Sequence, residues 1–568
     1  MHPRIACIAR CAFLFIAVCS LCACQRGEPP ILVPSVQYTQ GPPLAEPTQN
    51  SGTEEIILPT PIPPPSASVN PSDPRSAIAH YLLEVQLSNE TWTADVVETI
   101  EVTNNSTDPW NQLAFHLPFA HTAGVFNLQT ITGEDAANSV VSHSFDPETL
   151  ILLIQPAQPL QPSATTTLQI SYSLNIPLTS YEDWPPNGTV GHDLQIMQLG
   201  NWYPVLVPYR SGEGWYTWEF TEVGDPYVTE VADYDLEIRA SESMVVASSG
   251  ERQASQPGVW RYHLEGARAV GFSASPAYLE QCQQTSSIQV CSYFLPEHQQ
   301  AGVDVLQAAV QSLELFSEVY GPYPYTSLVI AEDAFFGSME YTGFVLHSGA
   351  SYARYDGRAD TMLIALTAHE VSHQWWYSLV GSDQVYEPWL DEALAMYSEL
   401  AFYRRYYPDL EDWYWADRVY IYNPTGPLTR SIYDFPDSQT YNHQLYRRGL
   451  LFVDELRVHM GDERFYSFLQ ELRQRGQMRL LTTDEFFDTL EQYGEYDAIT
   501  AEYFPERFPA DSTPISDGEE TTYVVEAGDT LLDIAVEFGV TVDAIMQANQ
   551  LPDENTIYVG QRLVIPAP

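Results

Sequence analysis

Lysine is missing altogether: all 24 basic residues in the 568-residue chain are arginine. Schiff-base and lysine-nucleophile chemistry are excluded with it. Positive charge is scarce in any form, with 24 basic against 75 acidic side chains and a net charge of −51. Such a chain is neither a nucleic-acid binder nor a polybasic membrane ligand, and its field should repel acidic peptides at low ionic strength. Cysteine is rare too: five of the seven lie in the first 24 residues, which leaves the body only Cys282 and Cys291. Nine apart in sequence, these two can close a short disulfide loop in an exported protein. A long apolar run is also lacking near the N-terminus. Residues 12–23 make a stretch of 12, short of the roughly 20 that a spanning helix needs but suited to a signal-peptide core. What remains is 45% hydrophobic and 12% aromatic, enough to bury sizeable cores, and the length suggests three or four domains.

Arg4 and Arg10 flank the start of that apolar run, which ends Leu21-Cys22-Ala23-Cys24. This ending resembles a bacterial lipoprotein box. The resemblance implies a signal peptide over 1–23, lipidation of Cys24, and a protein of the bacterial cell envelope held to the outer face of a membrane. Thirteen prolines follow between 25 and 75 among Ser, Thr, Gln and Glu, so residues 24–77 are expected to be an extended spacer.

From 78 to about 285 short alternating apolar runs, such as 81–86, 96–102, 165–174 and 234–239, are separated by turn residues. They predict a β-sandwich or saddle-like domain. Between 286 and 508 the apolar period becomes helical, at 303–319, 362–379, 390–406, 450–460, 463–475 and 483–492. Residues 509–521 read as an acidic linker and 522–567 as a compact unit of their own. The chain is therefore expected to be multidomain α+β.

The helical region contains His369-Glu370-Val371-Ser372-His373. Positions i and i+4 share a helix face, so both imidazoles can reach one zinc ion while Glu370 takes a proton from water beside it. After 18 intervening residues comes Glu392, at the start of another helical stretch. Two histidines and a carboxylate are the ligand set of hydrolytic zinc sites, which keep one position open. One Zn²⁺ per chain is expected.

HEVSHQWW followed by WLDEALAMYSE resembles the M1-family gluzincin aminopeptidases, relatives of aminopeptidase N and leukotriene A4 hydrolase. Gly337-Ser338-Met339-Glu340-Tyr341 is similar to that family's GxMEN segment, which implies that Gly337, Ser338, Met339 and Glu340 meet the substrate, with Glu340 on its free α-amino group. Tyr446-Arg447-Arg448-Gly449 matches the family's YxxG, which gives Tyr446 the oxyanion of the tetrahedral intermediate. The resemblance covers 78–505 and implies a thermolysin-like, mainly helical catalytic domain. Tyr341 stands where the family has Asn, which bears on the shape of the amine pocket. No long helical domain follows residue 508 before the terminal unit, which implies a more open cleft.

Residues 523–566 run strand, helix, helix, strand, with Gly528-Asp529-Thr530 at the first turn and YVGQRLVIP at the close. They resemble a LysM module, which implies binding of peptidoglycan or another GlcNAc-containing glycan near Gly528, Asp529, Thr530 and Asn549. Together these features describe a surface-anchored zinc aminopeptidase acting on peptides with a free N-terminus outside the cytoplasm. The alternatives are a zinc endopeptidase, a cell-wall binding protein with an idle peptidase fold, and a hydrolase of peptidoglycan stem peptides.

Overall fold

The computed structural model describes residues 77–133, 139–179, 190–508, 521–525, 530–538, 540–549, 551 and 562–566. The signal, Cys24, the proline-rich spacer, the acidic linker, Gly528 and Asp529 lie outside the described residues.

The β region is built on a seven-stranded sheet. Its order is Glu251–Gln253, Val259–Ala267, Ala232–Arg239, Ala77–Ser88, Thr93–Asn104, Thr165–Asn175 and Phe126–Gly133. Strand Thr93–Asn104 shows why it forms: every second residue from Ala94 to Asn104 is buried, the period of a half-covered strand. Among the described residues the region also holds two four-stranded sheets, one around Leu113–His116 and Ile151–Pro156, the other around Met197–Leu199 and Phe272–Ser275, and a two-stranded pair, Tyr209–Arg210 with Gly214–Trp215.

One inward position on Thr93–Asn104 breaks the apolar rule. Glu98 is completely buried opposite Leu83 and Ile170, and neither carboxyl oxygen has a hydrogen-bond partner. Burial raises its pKa well above the usual carboxylate range, and its titratable neighbours Tyr81, Tyr172 and Tyr203 are themselves pushed up by burial. A native pKa above the unfolded one means the folded state binds more protons, so stability falls as pH rises above about 4.5. Glu98→Met keeps the shape and removes the unpaired group, worth about 1–3 kcal/mol. Thermal melts should show Tm up by about 3–8 °C at pH 8, with a much smaller gain at pH 5.

The catalytic region opens on a five-stranded sheet ordered Leu279–Thr285, Ile288–Phe294, Ser327–Glu332, Phe344–His347 and Met339–Tyr341. Strand Leu279–Thr285 pairs with Ile288–Phe294 and its Cys282 is disulfide-bonded to the directly opposite Cys291. This hairpin crosses the boundary expected at 285/286, so the catalytic sheet starts at Leu279. Six of the strand's seven residues are Glu, Gln, Cys or Thr, and all but Thr285 of these are exposed, which hides it from an apolar-period reading. Behind the sheet pack the helices Gln299–Val319, Met362–Ser372, Trp389–Tyr406 and Arg447–Met460.

Arg268 ties the β region to the catalytic one. Its wholly buried guanidinium donates to the carbonyls of Thr229, Tyr377 and Arg479 at 2.6–2.7 Å. Lysine could not reach three acceptors in this fork geometry.

The terminal unit pairs Thr521–Val524 with Arg562–Ile565 and carries helices Leu531–Phe538 and Val542–Asn549 over a core of Val525, Leu531, Ile534, Ala535, Ile545, Leu563 and Ile565. Asn549, expected at a glycan groove, has another use here. Its Nδ2 donates to the carbonyls of Ile545 and Val564, and its Oδ1 accepts the Val564 N–H. The side chain pins a helix to the closing strand. Thr530 is exposed at the head of the first helix.

Candidate metal centre

His369 and His373 lie one turn apart at the end of helix Met362–Ser372, both buried, and the i, i+4 spacing puts both Nε2 atoms on one side 3.1 Å apart. Glu392 sits in the first turn of Trp389–Tyr406, with its Oε2 3.3 Å from His369 Nε2 and 3.7 Å from His373 Nε2. The three ligand atoms of His369, His373 and Glu392 fall within 4.8 Å of one another.

The outer atoms of the two rings fix which nitrogen carries the proton. His373 Nδ1 lies 2.9 Å from the Trp376 carbonyl, which can only accept. His369 Nδ1 lies 3.0 Å from Glu399 Oε1. Glu399 is itself gripped by the buried Arg418, whose Nη2 reaches both carboxylate oxygens at 2.7 Å. Burial works to raise the Glu399 pKa, but Arg418 and His369 hold it down at about 2, so it is an acceptor. Both Nε2 atoms therefore present lone pairs to each other and to the Glu392 oxygen, which makes no hydrogen bond. Two nitrogen lone pairs and an anionic oxygen crowded into a buried site call for a cation, and this donor set fits zinc. Neither Glu399, although it closes the segment WLDEALAMYSE, nor Arg418 was given a role from the sequence. Glu399 is seven residues beyond Glu392, two turns along the same helix, and the need of His369 for an outer partner was the available signal.

Glu370 lies beside the ligands with Oε2 unpartnered. Burial, only partly offset by His369 and reinforced by Glu392 and Asp225, pushes its pKa up to about 8. Glu340, on the edge strand Met339–Tyr341, comes within 4.8 Å of both Glu370 and His373. The rest of that segment has the following surroundings. Met339 packs into a core with Ala331 and Leu346, Gly337 and Ser338 are half-buried, and Ser338 hydrogen-bonds His347. Strand alternation turns Tyr341 away from Glu340, and its ring lies against Gly271, where a Cβ would sit 2.9 Å from the ring. The Tyr-for-Asn departure thus fills a core rather than the carboxylate face of the strand.

Tyr446 ends a π-helical turn, Asn442–Tyr446, just ahead of helix Arg447–Met460. Its hydroxyl donates to Glu392 Oε1 at 2.6 Å and its ring stacks on His369 at 5.9 Å. Gly449 makes the approach physical: a Cβ there would lie 2.5 Å from the Cβ of Ala393, the neighbour of Glu392. Only glycine lets the Tyr446 helix come this close to the Glu392 helix.

Asp225, from the β region, completes the site and was not singled out by sequence. Gly224 (φ +66°) packs on Ile432 and Tyr441. Desolvation and the charge of Glu392 push the Asp225 pKa up to about 7, and its own charge is felt by Glu340, Glu370 and Tyr446.

Residues 305–503 match the Peptidase family M1 domain, and residues 523–566 match the LysM domain. Endoplasmic reticulum aminopeptidase 2 of Homo sapiens is 23% identical over 222 residues, covering 36% of this chain and 23% of that protein. Aminopeptidase N of Streptomyces lividans is 24% identical over 273 residues, 42% of this chain and 31% of that protein. N-acetylmuramoyl-L-alanine amidase XlyA of Bacillus subtilis (strain 168) is 50% identical over 54 residues, 10% of this chain and 18% of that protein. The chain thus spans about a quarter of the length of the human aminopeptidase it matches. Among solved structures, the M1 zinc metallopeptidase from Deinococcus radiodurans superposes with a TM-score of 0.53 at 17% identity, over 74% of this chain and 91% of that one.

The chain shares the fold of that solved metallopeptidase, residues 305–503 match the Peptidase family M1 domain ahead of the LysM match, and the His369, His373, Glu392 group is a donor set that suits zinc.

Proposed function

We propose that the protein is a zinc aminopeptidase that removes N-terminal residues from peptides outside the cytoplasm, anchored by lipid at Cys24 and by glycan binding through its LysM domain. One observation carries the reading: Glu340, a carboxylate that is not part of the ligand group, stands within 4.8 Å of both Glu370 and His373. In a desolvated cleft it suits the ammonium of a substrate N-terminus, a charge-assisted contact stronger than a neutral one. It would leave one residue between that ammonium and the scissile bond.

Zinc held by His369, His373 and Glu392 would supply Lewis acidity toward the carbonyl and make water acidic enough to react at neutral pH. The chain's own groups do the rest. Glu340 sets the register of the substrate. Glu370 takes a proton from the attacking water and delivers it to the leaving amine. Tyr446, kept protonated by burial and by Glu392, donates to the carbonyl oxygen as charge develops on it. Glu399 and Trp376 hold the histidine rings in their ligating tautomers.

Export and anchoring rest on the short apolar run and the lipoprotein-type ending at Cys24. Glycan binding rests on the LysM match and on the 54-residue likeness to a protein named as an N-acetylmuramoyl-L-alanine amidase. The test is hydrolysis of a panel of aminoacyl-p-nitroanilides by the zinc-loaded full chain, each beside its N-acetylated form, with insoluble peptidoglycan pull-down as the second arm. Turnover of the free-amine compounds alone, and retention on peptidoglycan, are expected. Equal turnover of blocked compounds would establish an endopeptidase instead.

A further inference from the structure

Glu340 rides on the least secure element of the catalytic sheet. Strand Met339–Tyr341 has three residues, lies at the edge and pairs only with Phe344–His347. So short an edge strand cannot by itself hold a carboxylate at a fixed distance from a metal.

We propose that His347 and Gln374 are positioning residues that staple this strand to the histidine-bearing helix at both ends, and so set the spacing between the substrate ammonium and the metal. The inference rests on the aminopeptidase reading of Glu340 and deepens it.

At one end His347 is wholly buried. Its Nε2 lies 3.1 Å from the Leu363 carbonyl and 2.9 Å from Thr367 Oγ1, while Thr367 donates its own proton to Leu363. A carbonyl only accepts, so Nε2 carries the hydrogen and Nδ1 is the acceptor. Nδ1 then takes the proton of Ser338 Oγ at 2.9 Å, and Ser338 accepts the Ser348 N–H at 3.1 Å. Burial lowers the His347 pKa to about 4, which keeps the ring neutral with one donor and one acceptor, as this chain of bonds requires. Ser338 immediately precedes the strand, and Leu363 and Thr367 lie on Met362–Ser372, ahead of His369.

At the other end Gln374, also wholly buried, directly follows the ligand His373. Its Nε2 donates to the Tyr341 carbonyl at 3.1 Å and its Oε1 accepts the Gly343 N–H at 2.8 Å. The two staples bracket Glu340. Together these hydrogen bonds link the strand segment to the histidine-bearing helix, through His347 on the neighbouring strand at one end and through Gln374, just past the helix terminus, at the other. Apolar residues would fill the same volumes, so polarity here fixes register rather than packing.

The experiment uses the zinc-loaded full chain and two inhibitors, an amino-acid hydroxamate and the same hydroxamate with hydrogen in place of the α-amine. Wild type is expected to bind the amine-bearing compound more tightly. His347→Leu and Gln374→Met should each weaken that compound about tenfold, with the amine-free one within about twofold and zinc content unchanged. Ser338→Ala breaks only the outer link of the first staple and should give about threefold if His347→Leu does not fold. Combined with Glu340→Gln, none should weaken binding further, because the effect runs through Glu340. Equal losses on both inhibitors, or no loss on either, would overturn the proposal. A wild type that ignores the amine would overturn the reading of Glu340 itself, and this inference with it.

Discussion

Glu370→Gln is expected to lower kcat about 10³-fold while leaving zinc content and KM close to wild type. The substitution keeps the shape of a side chain whose Oε2 has no hydrogen-bond partner among the described residues, so no described hydrogen bond of that oxygen is lost with the charge. What is lost is a group able to hold a proton between the attack of water and the departure of the amine. Burial pushes the Glu370 pKa up from the ordinary carboxylate range against the opposing pull of His369, the direction that makes a carboxylate a stronger proton acceptor. Metal analysis beside steady-state kinetics checks the outcome. An unchanged kcat would mean that another group moves the proton.

Tyr446→Phe should lower kcat about 10²-fold or more with KM within about threefold. The hydroxyl donates to Glu392 Oε1 at 2.6 Å, and two roles are open to it. As a donor to the developing oxyanion, its removal affects the transition state alone. As a brace for the ligand carboxylate, its removal weakens zinc affinity instead, by the 10–100-fold typical of a group behind a ligand. Zinc titration against a chelator separates them, and the first result is expected: phenol loss with metal affinity retained. Gly449 serves as a control for the geometry. Gly449→Ala places a methyl 2.5 Å from the Ala393 Cβ and should reproduce part of the defect by pushing the two helices apart.

The ligand group was legible in the sequence because helix geometry converts the spacing of His369 and His373 directly into a shared face. Glu392 was legible because its helix start follows at a recognisable distance. Glu340 and Tyr446 were legible through motif order alone. Residues that support these atoms through long-range contacts were not. Arg418 reaches Glu399 from a π-helical turn, Tyr414–Val419, a conformation with no apolar period of its own. Asp225 reaches the cleft from another domain, and His347 and Gln374 act through hydrogen bonds to partners 9 to 33 positions away in sequence. Polarity inside a core is the physical signature of Arg418, His347 and Gln374, and burial cannot be read from residue type. At Asn549 the side chain is tied to backbone, a structural bond that residue type did not reveal. In the β region, Glu98 shares the buried face of its alternating strand with Val96 and Ile100, and the register sets it between Leu83 and Ile170.

The most direct test of the account is the ratio of kcat/KM for an aminoacyl-p-nitroanilide to that of its N-acetylated form, measured on the zinc-loaded full chain and on Glu340→Gln. The account predicts a wild-type ratio of at least about 10³, corresponding to some 4 kcal/mol of discrimination by a charge-assisted contact in a desolvated cleft, and a collapse toward 1 in Glu340→Gln. A wild-type ratio near 1, or a large ratio that survives Glu340→Gln, would contradict it.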